Sequence, residues 1–173
     1  MPIKTGNQAL AADIKDLCYL IRKTADETVN NSTALQDDDD FILPLAANEV
    51  WLVELFLLQQ SPSNASDFKM GWTYPVGCTI SWGSPNEVGS NTSQWEIASV
   101  GAVATVVKIQ TDTLGAGTGN FTQAIHITAI VVNGANAGNL VFQWAQNTAT
   151  VEDTKVLENS ILKAHRLSPD LFA

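Results

Sequence analysis

The sequence predicts an all-β protein, a two-sheet antiparallel β-sandwich of the jelly-roll kind with a short N-terminal helical arm. From position 18 onward, apolar residues alternate with polar ones or form short β-branched runs, and Gly, Pro and Asn turn signals recur at short intervals. Only one segment has helical spacing. Many short strands with so little helix bury their apolar faces by packing sheet on sheet.

The helical segment is residues 7–17, where Leu10, Ile14 and Leu17 fall on one face. A helix of about three turns is marginal in water, so this stripe must dock on the domain or on a neighbouring chain. We therefore divide the chain into an N-terminal arm at 1–17, the sandwich at 18–167 and a C-terminal tail at 168–173. The arm is expected to attach the protein to a partner or to clasp subunits, and to lie outside the core.

Strands are predicted in order along the rest of the chain, at residues 18–24, 41–45, 50–60, 68–74, 79–82, 95–97, 102–111, 121–132, 140–146 and 160–167. The segment 121–146 has the clearest pattern. A β-branched apolar run is followed by Asn133-Gly134 and then by alternating large apolar and polar residues. This pattern predicts one long β-hairpin.

The long strands are apolar on both sides. The predicted core rows are Trp51, Val53, Leu55 and Leu57; Ile125, Ile127, Ala129 and Val131; and Leu140, Phe142 and Trp144. The opposite sides carry Leu52, Glu54, Phe56 and Leu58 in one strand and His126 and Ile130 in another. Such strands need cover on both sides, and no helices remain to supply it, so these six residues predict a subunit interface of a homo-oligomer. Glu54 and His126 are expected to be hydrogen-bonded or ion-paired at or near that interface.

Composition excludes several functions. Charged residues make up 16% of the chain, against roughly 25% in a typical soluble domain. Eighteen acidic and nine basic residues give a net charge of −9, which argues against nucleic acid and against membrane surfaces as partners. The N-terminus lacks the apolar region of a secretory signal, so we expect the protein to be made and kept in a cytoplasm.

Four consecutive carboxylates, Asp37 to Asp40, are the most conspicuous candidate for chemistry. Ca²⁺ loops space their ligands, often at every second position with a glycine for the turn, so a solvated turn is the expected structure. Ca²⁺ stays open as an alternative if Glu49 or a neighbouring subunit adds oxygen ligands.

Other candidates have simpler structural explanations. His126 and His165 have no nearby Ser, Cys or carboxylate pattern, and the Gly-rich stretch 114–120 lacks the Lys and the helix of a phosphate-binding loop. Cys18 and Cys78 are expected to be buried free thiols. Among the five tryptophans, Trp95 is the one expected to be exposed. We predict no catalytic residue, no cofactor and no metal.

Five short segments occur in an order that resembles a family of small tailed-phage virion proteins. They are IRKTAD at 21–26, LQDDD at 35–39, PLAANEVW at 44–51, GANAG at 134–138 and QWAQNT at 143–148. A final strand ends in AHRL at 164–167, so the resemblance covers roughly residues 18–167.

The resemblance implies a non-enzymatic structural protein of a phage particle. Related jelly-roll decoration proteins sit as trimers on the capsid surface and cement neighbouring capsomers. It therefore predicts a homotrimer on the virion, assembled in the host cytoplasm, with itself and the major capsid protein as partners. Leu10, Ile14 and Leu17 would then belong to a capsid-attachment or trimer-clasping arm. The alternative is a tail-associated or head-fibre module that recognises a host surface glycan.

Overall fold

The computed structural model describes residues 18–62, 65–83, 107–109 and 122–168. Within these ranges the protein is all-β and contains no helix. The strands are β1 Cys18–Arg22, β2 Glu27–Val29, β3 Gln36–Leu45, β4 Val50–Gln60, β5 Phe68–Thr73, β6 Thr79–Gly83, β7 Val107–Ile109, β8 Thr122–Val132, β9 Gly138–Gln146, β10 Thr154–Val156 and β11 Ile161–Ser168. The predicted helix with Leu10, Ile14 and Leu17, the predicted strand 95–97 and the Gly-rich stretch 114–120 lie outside the described residues.

The strands form two antiparallel sheets, as predicted. In the first sheet, the long strand β4 pairs with β8 along one edge and with β11 and then β10 along the other. β1 and β2 border β11 and β10, and β6 borders β8. The second sheet has the order β3-β9-β5-β7.

The two sheets share one hydrophobic core. Every residue of the three predicted core rows is buried, which confirms the period-two assignment of their faces. Contacts between aromatic rings cross from sheet to sheet. Trp72 of β5 meets Trp82 of β6 edge to face, with ring centroids 6.3 Å apart.

The predicted hairpin over residues 121–146 is wrong. Its two strands exist, but β8 lies in the first sheet and β9 in the second, so the intervening loop crosses between sheets. The Asn133 side chain is buried in this loop and donates hydrogen bonds to the carbonyls of Ala46 (2.6 Å) and Asn136 (2.9 Å). The Asn-Gly pair therefore builds a fixed crossing between sheets.

The edge formed by β1 and β2 is interrupted between Arg22 and Glu27, opposite a similar break between β10 and β11. Two backbone hydrogen bonds join the segments at these breaks. The Lys23 amide donates to the Ser160 carbonyl (2.8 Å), and the Asn159 amide donates to the Lys23 carbonyl (2.9 Å). Asn159 has the positive φ of 67° that such an irregularity needs. The interruption leaves the Lys23 side chain buried between the sheets.

Candidate functional site

The outward side of the first sheet carries the six interface residues predicted from the sequence. We call it the outer face and define it by positions paired in register across β1, β11, β4 and β8, namely Leu20, Arg22, Leu52, Glu54, Phe56, Leu58, His126, Thr128, Ile130, Val132, Ile161, Lys163 and His165. Several of its large apolar side chains are exposed, including Leu20 at 71% and Phe56 at 45%. The six predicted interface residues all belong to this face, while their contact with another subunit stays a prediction.

One ion pair lies at the centre of the outer face. Lys163 of β11 donates a hydrogen bond to Glu54 Oε2 at 3.0 Å, between registered neighbours on adjacent strands. This hydrogen bond lowers the pKa of Glu54, burial opposes it, and the charge of Lys163 with smaller effects of His126 and His165 adds to the lowering. Glu54 thus has the partner that was predicted for it, although the sequence did not indicate Lys163. The pair leaves the middle of the face with no net charge.

The predicted solvated turn at the acidic run is wrong, because all four carboxylates lie within β3. Strand alternation exposes Asp37 and Asp39 and buries Asp38 completely. Asp38 meets Lys23, which is only 1% exposed. The Lys23 Nζ lies 3.0 Å from both carboxylate oxygens of Asp38, 2.6 Å from Glu27 Oε2 and 3.5 Å from Asp40 Oδ2. We call these four residues the Lys23 cluster.

Backbone groups and one aromatic ring complete the Lys23 cluster. Asp38 Oδ1 accepts hydrogen bonds from the amides of Asp40 (3.1 Å) and Phe41 (3.0 Å), and Nζ lies 5.5 Å from the centre of the Phe41 ring. Burial lowers the pKa of Lys23, but hydrogen bonds to Glu27 and Asp38 outweigh it and the net pKa is raised. Burial also raises the pKa of Glu27, and its bond to Lys23 only partly opposes this.

Glu49 organises the opposite end of the molecule. Its Oε2 accepts hydrogen bonds from the Ala46 amide (2.8 Å) and the Trp51 indole (3.0 Å), and its Oε1 accepts one from Arg166 (2.9 Å). Burial raises the pKa of Glu49, but these three donors outweigh burial and hold the pKa below its ordinary value. Glu49 is therefore committed to capping the β3–β4 turn.

The short segments on which the sequence-based resemblance rests contain most of these buried polar groups. Lys23, Asp38, Glu49 and Gln146 each lie in one of them. The Gln146 amide accepts hydrogen bonds from the amides of Ser32 (3.2 Å) and Thr150 (3.1 Å) and donates one to the Glu152 carbonyl (2.7 Å). These segments therefore have clear roles in holding strands and loops together.

A shallow groove of about 670 Å³ lies between the β5–β6 and β8–β9 connections. It is lined by Thr73, Tyr74, Pro75, Val76, Asn136, Ala137, Gly138 and Asn139. An aromatic ring beside amide groups is a combination that binds sugars through stacking and hydrogen bonds.

Three further predictions concern metals, membranes and thiols. Among the described residues, no group of three or more His, Cys, Asp or Glu side chains is arranged to hold a metal ion. No helix in the described ranges is long and apolar enough to cross a membrane. Cys18 and Cys78 are free thiols, as predicted; Cys78 is buried, whereas Cys18 is partly exposed. Burial raises the pKa of Cys78 to about 11.

Comparison with known proteins finds no match to this chain among family models, curated proteins or solved structures. A functional proposal therefore rests on the fold, on the outer face and on the motif resemblance in the sequence.

Proposed function

We propose that this protein is a non-enzymatic structural protein of a tailed-phage virion. In this proposal it is a homotrimeric capsid decoration protein that binds the outer surface of the head and cements neighbouring capsomers. Its partners are other copies of itself and the major capsid protein. The observation that carries the proposal is the exposed apolar outer face of the first sheet.

The strand order supports a jelly-roll sandwich within this proposal. With β1 and β2 counted as one strand, β10 and β11 as another, and β6 set aside, each sheet has four strands. When these eight strands are numbered along the chain, their spatial order is 1-8-3-6 in the first sheet and 2-7-4-5 in the second. This is the order of a jelly roll, an architecture that is frequent in viral capsid proteins and in lectins. The fold alone does not decide between these uses.

The two outward sheet surfaces differ, and this difference favours assembly through one of them. The outward positions of the second sheet mix polar residues such as Asp37, Gln143 and Thr73 with the exposed Ile42, and Gln143 donates a hydrogen bond to Asp37 (2.7 Å). The outer face of the first sheet instead exposes Phe56, Ile130 and neighbouring apolar groups around one neutral ion pair. Copies of a chain with a net charge of −9 repel each other least where they meet through a largely apolar surface without excess negative charge.

The proposed arm joins the sandwich at β1, which borders the outer face. Cys18, its first described residue, is in register with His165 and Leu52 on that face. An arm that carries Leu10, Ile14 and Leu17 would therefore start beside the proposed subunit contact. We propose that it clasps the trimer or attaches it to the capsid.

Antibody labelling of intact virions of the phage that encodes this protein tests the proposal. Labelling spread over the head, together with a trimer mass for the purified full chain by light scattering, is the expected result. Labelling confined to the tail, or a purified protein that stays monomeric and is absent from heads, would contradict it.

A receptor-binding module on the tail or on a head fibre is the second candidate, and the groove with Tyr74, Asn136 and Asn139 favours it. This function predicts binding of the purified chain to a host surface polysaccharide. The Asn139→Ala variant should then bind at least tenfold more weakly, while the distant Asn30→Ala variant binds normally. If the purified chain bound no host polysaccharide, the groove would not be a receptor-binding site.

A further inference from the structure

The pair Lys23 and Asp38 connects the two sheets in the interior of the protein. Lys23 follows β1 of the first sheet and Asp38 lies in β3 of the second, and the two residues are 1% and 0% exposed. A buried ion pair of this kind adds little net stability, because removing both charges from water costs about as much as their attraction returns.

The atoms of this pair are placed for a reaction. Nζ lies 3.0 Å from Oδ1 and 3.0 Å from Oδ2 of Asp38, so it faces the carboxyl group symmetrically. The carbon shared by these oxygens then lies within about 3.5 Å of Nζ, a separation from which attack can begin once the amine moves above the carboxyl plane. After its ammonium has given up a proton, a lysine amine so placed is a nucleophile for the carboxyl carbon.

The surrounding groups supply the two other requirements of acyl transfer. The amides of Asp40 and Phe41 both donate to Oδ1, at 3.1 and 3.0 Å, which is where negative charge develops when the carbon is attacked. Glu27 Oε2 lies 2.6 Å from Nζ and can take up and pass on its proton. Burial raises the pKa of Glu27, which helps it to hold that proton briefly.

We propose that Lys23 and Asp38 form an intramolecular amide bond, with Glu27 as the proton-transfer group. One proton first moves from the Lys23 ammonium to Asp38 Oδ2, which leaves a neutral amine and a carboxylic acid. Nζ then bonds to the Asp38 carboxyl carbon, and the carbonyl electron pair moves onto Oδ1. Glu27 takes a proton from Nζ and delivers it to the Oδ2 hydroxyl, the carbon–Oδ2 bond breaks, and one water molecule leaves. No oxidant or cofactor is consumed, and Glu27 ends as it began.

The bond would tie the edge of the first sheet to the second sheet covalently. The positions that it joins are 15 residues apart, and the link would span the interior between the sheets. This amide bond is separate from the proposed role on the virion, and it does not depend on that role.

Mass spectrometry of the purified full chain under denaturing conditions tests the proposal. The expected result is an intact mass lower by one water, and a digest that contains one branched peptide joining the segments around Lys23 and Asp38. Lys23 should also resist acetylation in the denatured chain. An intact mass that retains this water, with Lys23 open to acetylation, would overturn the proposal.

Variants assign the roles. The Asp38→Ala chain should retain the water, and the Glu27→Gln chain should form the link about 100-fold more slowly. The Lys163→Ala chain is the matched control, because Lys163 also pairs with a carboxylate but is 47% exposed. It should lose the water as the parent chain does. Water loss that persists in Asp38→Ala would refute the bond, and unchanged linking in Glu27→Gln would refute the proton transfer by Glu27.

Discussion

At the scale of single residues, several buried polar side chains in the described part of the chain hold two or more backbone segments in place. Glu49 joins the β3–β4 turn to Arg166 of β11, and Lys23 joins the edge of the first sheet to β3. A run of carboxylates has no periodic signal that shows which member is buried, and its cation precedes Asp38 by 15 positions. The sequence therefore predicted the core rows but missed the Lys23 cluster.

The Glu49→Gln variant tests the role of the lowered pKa. Because the folded state depresses the pKa of Glu49, its stabilising effect is present above the ordinary value of 4.5 and is lost as the pH falls through the folded pKa. We expect Glu49→Gln to lower the free energy of unfolding by about 2 kcal/mol at neutral pH. Denaturant titrations should show this difference shrinking below pH 4.5.

The matched control is Asp37→Asn, which removes an exposed carboxylate that accepts a hydrogen bond from Gln143 on the second sheet, away from the outer face. It should cost less than about 1 kcal/mol of unfolding free energy. Equal losses for the two variants, or a Glu49→Gln effect that is independent of pH, would contradict this account of Glu49.

At the scale of elements, the connection between β8 and β9 determines how the sheets are joined. The alternating pattern correctly showed which residues of these strands face the core. The pattern could not show which sheet each strand joins. A strand of either sheet turns every second residue toward the shared core, so strands of both sheets have the same alternating pattern. An Asn-Gly pair is also compatible with a hairpin turn and with a crossing loop, so the predicted hairpin failed at this step.

The crossing loop packs so closely against the β5–β6 turn that Gly134 tolerates no larger side chain. A Cβ atom at Gly134 would lie 2.8 Å from the Gly77 carbonyl oxygen, which belongs to backbone and cannot rotate away. We expect Gly134→Ala to destabilise the protein by about 1–3 kcal/mol in denaturant unfolding. The Gly83→Ala control has nothing within 4 Å of its added Cβ and should unfold like the parent chain. Similar stability of the two variants would show that the loops separate easily.

At the scale of the whole molecule, the described part of this acidic chain presents a largely apolar sheet surface without excess negative charge. This surface could be predicted from the sequence because β4 and β8 have apolar residues at their outward positions as well as at their inward positions. The central Lys163–Glu54 pair could not, because it depends on the register between β4 and β11. The proposed function makes the outer face the surface through which copies of the chain would assemble.

The oligomeric state of two matched variants tests this claim most directly. Ile130 on the outer face and Ile42 on the second sheet are 40% and 38% exposed, and each takes an outward position in a strand. In an apolar interface the carboxylate of an introduced Asp would be buried without a partner. This burial costs about 3 kcal/mol or more of association free energy for each contact. Light scattering should find a trimer for the parent chain and for Ile42→Asp, and a folded monomer for Ile130→Asp. A monomeric parent chain, or an Ile130→Asp variant that still forms trimers, would contradict the account.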